Sequence, residues 1–149
     1  EFVQKVYNYR EINGASLQAD PAYMIARGMK TLELRIERQN ASALKIAQYL
    51  KAHPKVQDVY YPGLPTHPGH EIAKVQMSGF GGIMSFALVG GYENVAKLLS
   101  SLQLVHLAAS LGSVSTLAGP PRTTSHVELT EAQRKQLTSN SELFQRMTH

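Results

Sequence analysis

A hydroxyl-rich stretch, SLGSVSTLAGPPRTTSH at residues 110–126, contains the residues of this chain best suited to receive an anion. Ser110, Leu111 and Gly112 follow an apolar run, and small residues directly after a strand leave backbone N–H groups free to bind a carboxylate or a phosphate. Near the end of the chain, Arg146 could supply a guanidinium that grips a carboxylate in two places. A plain β-bulge with a surface arginine explains the same residues equally well, so the residues alone leave both interpretations open.

Two further patterns favour structural roles. His67 and His70 have a spacing that can share a metal on a helix, but residues 68–69 are Pro-Gly and no third ligand is evident nearby. The glycines of 79–82 precede an apolar run, whereas a phosphate-binding loop places its glycines before a helix. We therefore expect no metal site and no phosphate cradle here.

A serine hydrolase is also disfavoured. His106 and Ser110 are four residues apart, but a Ser/His pair needs an orienting acid and an oxyanion hole, and the chain has no G-x-S-x-G elbow. Because His106 lies among apolar residues, we predict that it is a buried histidine of the core.

Composition narrows the class of protein. The chain has 149 residues, of which 43% are apolar and 17% charged, which suits one ordinary domain or a small domain with an appendage. It has no cysteine, and no apolar run approaches the ~20 residues that span a bilayer. The net charge of +4 is not gathered into a basic stripe. We expect a soluble, cytoplasmic protein that binds neither nucleic acid nor membrane.

The first third of the chain is predicted to be helical. Residues 1–12 resemble the tail of a helix, and Asp20-Pro21 is typical of a helix start. An apolar stripe then continues until His53-Pro54, where proline disfavours further helix. The stripe consists of Ile25, Met29, Leu32, Ile36, Asn40, Ala43, Ala47 and Leu50. One helix over 20–53 would be roughly 45 Å long, a length typical of a helix that bridges two domains.

The remainder favours an α+β fold. Strands are predicted within 56–64, 79–88, 104–109 and 142–147, and helices within 66–77, 91–102 and after Thr130. This order predicts a small open sandwich of mostly antiparallel sheet with helices on one face. The chain begins inside a helix and stops at Thr148-His149 directly after a predicted strand, so we expect a fragment of a longer protein.

Three segments resemble the Cys/Met-metabolism pyridoxal-phosphate enzymes, which include cystathionine γ-synthases, cystathionine lyases, methionine γ-lyases and homoserine-ester sulfhydrylases. These segments are RGMKTLELR at 27–35, HPKVQDVYYPGLPTHPGHEIAKVQMSGFGGIMSF at 53–86, and SLGSVSTL followed by P-x-x-x-S-H within 110–126. They occur in the family's order and cover nearly the whole chain.

The resemblance implies an architecture. Residues 1–19 would be the tail of a cofactor-binding domain, 20–53 the bridging helix, and 54–149 the C-terminal small domain of a fold-type I enzyme. The cofactor would be pyridoxal phosphate, held by residues outside this chain, because the family's Schiff-base lysine, phosphate loop and pyridine-binding aspartate have no counterpart here. Lys30 is not that lysine. The partners would be an amino-acid substrate, the large domain and other copies of the subunit.

The resemblance also assigns the substrate pocket. Ser110 and Leu111 would lie beside the bound amino acid and orient its α-carboxylate, which Arg146 would grip, while residues 123–126 would support the pocket wall. Cystathionine-specific members typically carry glutamate where this chain has Ala109, which favours a short, uncharged thioether or thiol side chain. The alternative is a non-catalytic binding or interaction module derived from the same family.

Overall fold

The computed structural model describes residues 1–14, 16–123, 127–130 and 132–133. The chain divides into two compact units, Glu1–Ile36 and Glu37–His149. The first unit is helical, and the second is mixed. The helices that begin in the first unit are α1 (Phe2–Asn13), α2 (Ala19–Met29) and α3 (Leu32–Ala52), the last of which continues into the second unit.

The prediction of one unbroken helix over 20–53 is wrong at one point. The helical path is interrupted at Lys30 and Thr31, between α2 and α3. Gly28 is a poor helix former, and the side chain of Arg35 takes the carbonyl oxygen of Gly28 as a hydrogen-bond acceptor (2.8 Å). The predicted end is confirmed, because α3 stops at Ala52 ahead of His53-Pro54.

The predicted start of this helical region is displaced by two residues. α2 begins at Ala19 with Gln18 at the N-cap, and no side chain caps it. Asp20 therefore lies in the first turn instead of capping it. A carboxylate there is still favourable, because the first turn carries the positive end of the helix dipole.

The second unit continues with short elements. In chain order these are β1 (Val56–Tyr60), α4 (His70–Gln76), β2 (Ser85–Leu88), α5 (Tyr92–Ser101), β3 (His106–Leu107), β4 (Leu117–Ala118) and a 3-10 turn at Pro121–Thr123. The predicted α+β composition is confirmed, and both predicted helices, at 66–77 and 91–102, are present. Helix α5 turns Val95, Leu98 and Leu99 inward, as its apolar spacing predicts.

The core of the second unit forms where α3 meets the first sheet. β1 pairs antiparallel with β2, with Val59 opposite Phe86 and an irregularity between Val56 and Asp58. The buried core residues are Ala43, Ala47, Val59, Tyr61 and Leu64. Ala43 and Ala47 present small side chains from α3 to this cluster, and Tyr61 is its largest fully buried side chain, with 0% of its surface exposed.

Two predicted strands are shorter than expected. In the segment 79–88 only Ser85–Leu88 is a strand, because Gly81 has a φ of 81° and its backbone N–H and carbonyl bind side chains instead of a neighbouring strand. In 104–109 only His106–Leu107 is a strand, and it pairs in parallel with β4, an arrangement that the prediction of mostly antiparallel sheet did not include. The predicted strand at 142–147 lies outside the described residues.

A helix start at Thr130 is supported by a capping box. The backbone N–H of Gln133 donates to Thr130 Oγ1 (3.3 Å), and the backbone N–H of Thr130 donates to Gln133 Oε1 (2.9 Å). This reciprocal pair satisfies donors that have no partner inside the helix. The continuation of that helix lies outside the described residues.

Candidate functional site

The stretch predicted to receive an anion begins in a loop whose two ends are joined by hydrogen bonds. We call residues 108–116, between β3 and β4, the serine loop. His106 pairs with Leu117 and Leu107 with Ala118 in parallel register. The backbone N–H of His106 donates to Thr116 O (3.0 Å), and that of Ala108 donates to Ala118 O (3.3 Å). Parallel strands usually need a crossover of a dozen or more residues, so this short loop makes a tight excursion away from its sheet.

The outer part of the serine loop is open to solvent. Ala109 and Ser110 are exposed, and Leu111 is 80% exposed. The backbone N–H groups of residues 109–111 and the hydroxyl of Ser110 make no hydrogen bond with other described residues. Gly112 turns the chain with a φ of 82°, and the backbone N–H of Ser115 donates to Ser113 Oγ (3.1 Å). The loop is therefore shaped locally, and its first donors are not used by other residues of the described ranges.

The structure groups only part of the predicted site. Ala109, Ser110 and Leu111 lie together in the serine loop, and Thr123 ends the 3-10 turn that follows β4. Arg146 and residues 124–126 lie outside the described residues. The pairing of Arg146 with the serine loop therefore stays a prediction.

His106 is exposed, so the prediction of a buried core histidine is wrong. β3 is only two residues long, and both of its residues are exposed. The apolar neighbours in sequence misled the prediction, because a strand this short at the margin of the unit buries neither face. The exposed position does not make His106 a base, since no described carboxylate orients it.

His67 and His70 support a turn. The backbone N–H of Gly69 donates to His67 Nδ1 (3.1 Å), and His70 Nδ1 lies 2.7 Å from Pro62 O, with its ring stacked on Phe80. Partial burial and the nearby His70 lower the pKa of His67 below its ordinary value of 6.5. Within the described part of the chain, no group of three His, Cys, Asp or Glu residues is placed to hold a metal ion.

Two residues that the sequence analysis did not single out hold the glycine segment. Asn40 Oδ1 accepts the backbone N–H of Gly81 (2.8 Å), and the hydroxyl of Tyr61 donates to Gly81 O (2.9 Å). A Cβ on Gly79 would collide with the side-chain amide of Asn40. The nearest neighbours of Gly79 and Gly82 are the side chains of Asn40 and Gln39 on α3. The available signal was Asn40 itself, a polar residue at a position of the apolar stripe.

Comparison with known proteins identifies the family. Residues 1–147 match the family described as Cys/Met metabolism PLP-dependent enzyme. The chain belongs to this family. Its members depend on pyridoxal phosphate, which confirms the predicted cofactor.

Relatives within the Cys/Met metabolism family have several activities. Cystathionine gamma-synthase 1, chloroplastic, of Arabidopsis thaliana is 43% identical over 90% of this chain and 24% of that protein. L-methionine gamma-lyase of Fusobacterium nucleatum subsp. polymorphum is 48% identical over 85% of this chain and 32% of that protein. The chain thus spans about a quarter to a third of the length of these relatives.

Solved structures of the family share the fold. The crystal structure of cystathionine gamma-lyase from Lactobacillus plantarum complexed with L-serine has a TM-score of 0.81 and 38% identity, over 91% of this chain and 35% of that one. Cystathionine gamma synthase from Xanthomonas oryzae pv. oryzae, in complex with aminoacrylate and cysteine, has a TM-score of 0.81 and 36% identity, over 89% of this chain and 34% of that one.

The described residues do not form a site for pyridoxal phosphate. Such a site needs a lysine positioned for a Schiff base, donors for the phosphate and a partner for the pyridinium nitrogen. Every described lysine is exposed, and no charged or polar residue in the described ranges is buried. Among the same residues, no helix is both long and apolar enough to span a bilayer.

Proposed function

We propose that this chain is the C-terminal, substrate-side part of a pyridoxal-phosphate-dependent C–S lyase or transferase of sulfur amino-acid metabolism. Residues 54–149 would form the small domain, 20–53 the bridging helical segment, and 1–19 the tail of the cofactor domain. The observation that carries the proposal is the serine loop of this family member, in which backbone donors and a hydroxyl bond to no other described residue.

The serine loop suits the α-carboxylate of an amino acid. Consecutive backbone N–H groups that point outward form an anion-binding concavity, and Ser110 adds a hydroxyl donor beside them. Arg146 would supply the opposing charge, because a guanidinium binds a carboxylate through two parallel hydrogen bonds. Holding the carboxylate fixes the orientation of the Cα–H bond, and correct orientation can lower a barrier by several kcal/mol.

The side chain of the substrate would meet Ala109. This exposed methyl group offers no charge to a distal ammonium group, so a short thioether or thiol side chain fits better than the zwitterionic arm of cystathionine. Substrates of this class include methionine and homocysteine, and homoserine esters remain candidates because their side chains also lack an ammonium group. The chain would act within a larger polypeptide and a homo-oligomer, and it would be inactive alone because the lysine for the Schiff base is not among its described residues.

Reductive trapping tests where the cofactor site lies. The purified chain is titrated with pyridoxal phosphate, followed by visible absorbance, reduced with borohydride and mapped by peptide analysis. We expect weak labelling spread over the exposed lysines. A stoichiometric adduct on one lysine would contradict the assignment of this chain to the substrate side. The variant Lys30→Arg is the matched control, because Lys30 lies in the family motif and its loss should leave labelling elsewhere unchanged.

A chimera separates the enzyme from the alternative, a non-catalytic interaction module. This sequence replaces the matching segment of the L-methionine gamma-lyase of Fusobacterium nucleatum, to which it is 48% identical. The enzyme proposal expects the chimera to bind pyridoxal phosphate and to eliminate thiol from methionine. A folded, cofactor-loaded chimera without turnover on any sulfur amino acid would favour the interaction module.

A further inference from the structure

The joint between α2 and α3 has an unusual hydrogen-bond pattern. α2 ends at Met29, and the backbone N–H of Lys30 donates to Arg27 O (3.3 Å), three residues back instead of four. The guanidinium of Arg35 reaches back over the joint, where Nη2 donates to Gly28 O (2.8 Å) and Nε donates to Thr31 Oγ1 (3.2 Å). One side chain therefore ties the last turn of α2 to the residue that precedes α3.

Arg35 occupies the acceptor that a continuous helix would use. In an unbroken helix, the backbone N–H of Leu32 would donate to Gly28 O, four residues earlier. With Arg35 bound to that oxygen, Leu32 begins a new helix. In the described structure this oxygen accepts from Arg35, and no hydrogen bond joins it to the N–H of Leu32.

We propose that residues 28–35 form a two-state hinge, in which Arg35 latches a broken form that exchanges with a continuous helix. The hinge changes the direction of α2 relative to the first turn of α3. It goes beyond the proposed function and does not depend on it.

Three observations support a small free-energy difference between the broken and the continuous form. Lys30 keeps helical backbone angles at the joint, with φ −60° and ψ −24°, so little rotation is needed to restore the helix. The apolar stripe keeps its spacing through the joint, as a continuous helix requires. Gly28 lowers the helix propensity at the point of bending, and nothing lies within 4 Å of the position that a Cβ would occupy there.

The burial of Arg35 also favours a latch. Arg35 is half-buried, whereas Leu34 is 68% exposed and Ile36 41% exposed. A charged side chain that is less exposed than its apolar neighbours is folded against the backbone. The competing form would release this side chain to water.

Spin labels can measure the hinge directly, because the chain has no cysteine. Ala19→Cys and Leu34→Cys place one label at each side of the joint, a span of roughly 22 Å in a continuous helix and less across a bend. Amide exchange of Leu32, measured by NMR on the full chain, gives a second readout. The broken form leaves this N–H unprotected, and the continuous form protects it.

Arg35→Ala should shift the distance between the two spin labels to longer values and slow the exchange of the Leu32 amide. This result would be unusual, because the loss of two hydrogen bonds ordinarily speeds exchange. Arg38→Ala removes the same charge from α3 without touching the joint and should leave both readouts unchanged. Gly28→Ala should raise the ratio of continuous to broken forms by less than about five-fold, because Gly28 already lies in the last turn of α2 in the broken form and the full helix-propensity gain of about 1 kcal/mol applies only inside a continuous helix.

The Gly28→Ala variant keeps the proposal testable if Arg35→Ala destabilises the chain. A wild-type protein with one long distance and a protected Leu32 amide would overturn the hinge. So would Arg35→Ala and Gly28→Ala variants whose distance distributions and Leu32 exchange both match those of the wild type.

Discussion

Asn40 Oδ1 accepts the backbone N–H of Gly81 at 2.8 Å, although the two residues are 41 positions apart in the chain. Tyr61 completes the contact from the other side, because its hydroxyl donates to Gly81 O at 2.9 Å. Gly81 has a left-handed backbone, with φ 81°, which other residues rarely adopt. The glycine segment is therefore fixed to α3 and to the end of β1 by side-chain contacts, where a β-ladder was expected.

Replacing Asn40 should weaken the second unit. In Asn40→Ala the part-buried N–H of Gly81 loses its acceptor, and an unsatisfied buried donor costs about 1–3 kcal/mol. Urea unfolding followed by circular dichroism measures the change in the free energy of unfolding. Gln48→Ala removes an exposed amide from the same helix and should change stability by less than about 0.5 kcal/mol. Equal losses in the two variants would show that the Asn40–Gly81 bond contributes nothing specific.

Tyr61 should make the protein less stable in alkali. Burial raises the pKa of its phenol above the ordinary 10.0, so above pH 10 the unfolded chain loses this proton before the folded protein does. The stability that depends on the neutral phenol is complete below pH 10 and is lost as the pH rises toward the folded pKa. In Tyr61→Phe the alkaline decline should be shallower, and stability at pH 7 should fall by about 1 kcal/mol through the lost hydrogen bond.

Thermal unfolding between pH 7 and pH 11 measures this effect. Tyr49→Phe is the control, because the Tyr49 side chain is 66% exposed and its removal should leave the alkaline decline in place. If the unfolding midpoint fell in parallel with pH for Tyr61→Phe and the wild type, Tyr61 would be excluded as the source of the alkaline decline.

His67 should make the protein less stable in mild acid. Its pKa is lowered by partial burial first and by His70 second, so below pH 6.5 the unfolded chain binds a proton more readily than the folded protein. Stability is therefore complete above pH 6.5 and falls as the pH drops through the folded pKa. His67→Asn keeps an acceptor for the Gly69 N–H, as asparagine does in Asx-turns, and should reduce this loss.

Denaturant unfolding at pH 7.5 and pH 5 tests the contribution of His67. His53→Asn is geometrically matched, because His53 Nδ1 accepts the backbone N–H of Lys55 at 3.2 Å. That variant should leave the part of the acid response due to His67 intact. An acid response in His67→Asn as large as in the wild type would be the contrary result.

Gly63 should not tolerate a side chain. A Cβ at this position would lie 2.5 Å from Cε1 of the fully buried Tyr61 ring and 3.1 Å from Phe80 Cδ2. Overpacking of this kind costs about 1–3 kcal/mol, so Gly63→Ala should lower the midpoint of thermal unfolding. Gly69→Ala, whose Cβ would make an ordinary 3.4 Å contact with His67, should be nearly neutral. If Gly69→Ala lowered the midpoint of thermal unfolding more than Gly63→Ala, the Tyr61 ring would have room to move.

The proposed carboxylate site predicts a kinetic difference in the methionine gamma-lyase chimera. Arg146→Ala should raise KM for methionine on the order of 10- to 100-fold, since hydrogen bonds to charged groups contribute about 1.5–3 kcal/mol. Ser110→Ala should raise KM less, because the backbone N–H groups of the serine loop remain. Lys97→Ala, an exposed change on α5, should leave KM and kcat unchanged. An unaltered KM in Arg146→Ala would remove Arg146 from the site.

The sequence predicted the longer elements well because their signals are local. The end of α3 at His53-Pro54, the helix α5 and the strand at Val56–Tyr60 each follow from proline chemistry or apolar spacing. The break at Lys30–Thr31 was missed, and the side chain that spans it, Arg35, bonds to Gly28 O from seven residues away. A periodic pattern cannot register one side chain bonding to a backbone carbonyl group.

The candidate site was predicted in part for a similar reason. The small residues after β3 indicated free backbone donors; those of residues 109–111 bond to no other described residue, and their role in binding stays a prediction. The side chains that fix the neighbouring segment, Asn40 and Tyr61, come from distant parts of the chain, so the only signal was the polar Asn40 within the apolar stripe. His106 was placed wrongly because the length of β3 depends on its partner strand, which the sequence analysis did not identify.

The parallel pairing of β3 with β4 has a consequence for the evolution of this family. Because hydrogen bonds at His106 and Ala108 close the base of the serine loop, its interior can change in length or composition while the sheet that carries it persists. Doubling the length of such a loop costs only about 0.6 kcal/mol in closure entropy. Insertions and substitutions within these nine residues should therefore leave the sheet that carries the loop intact.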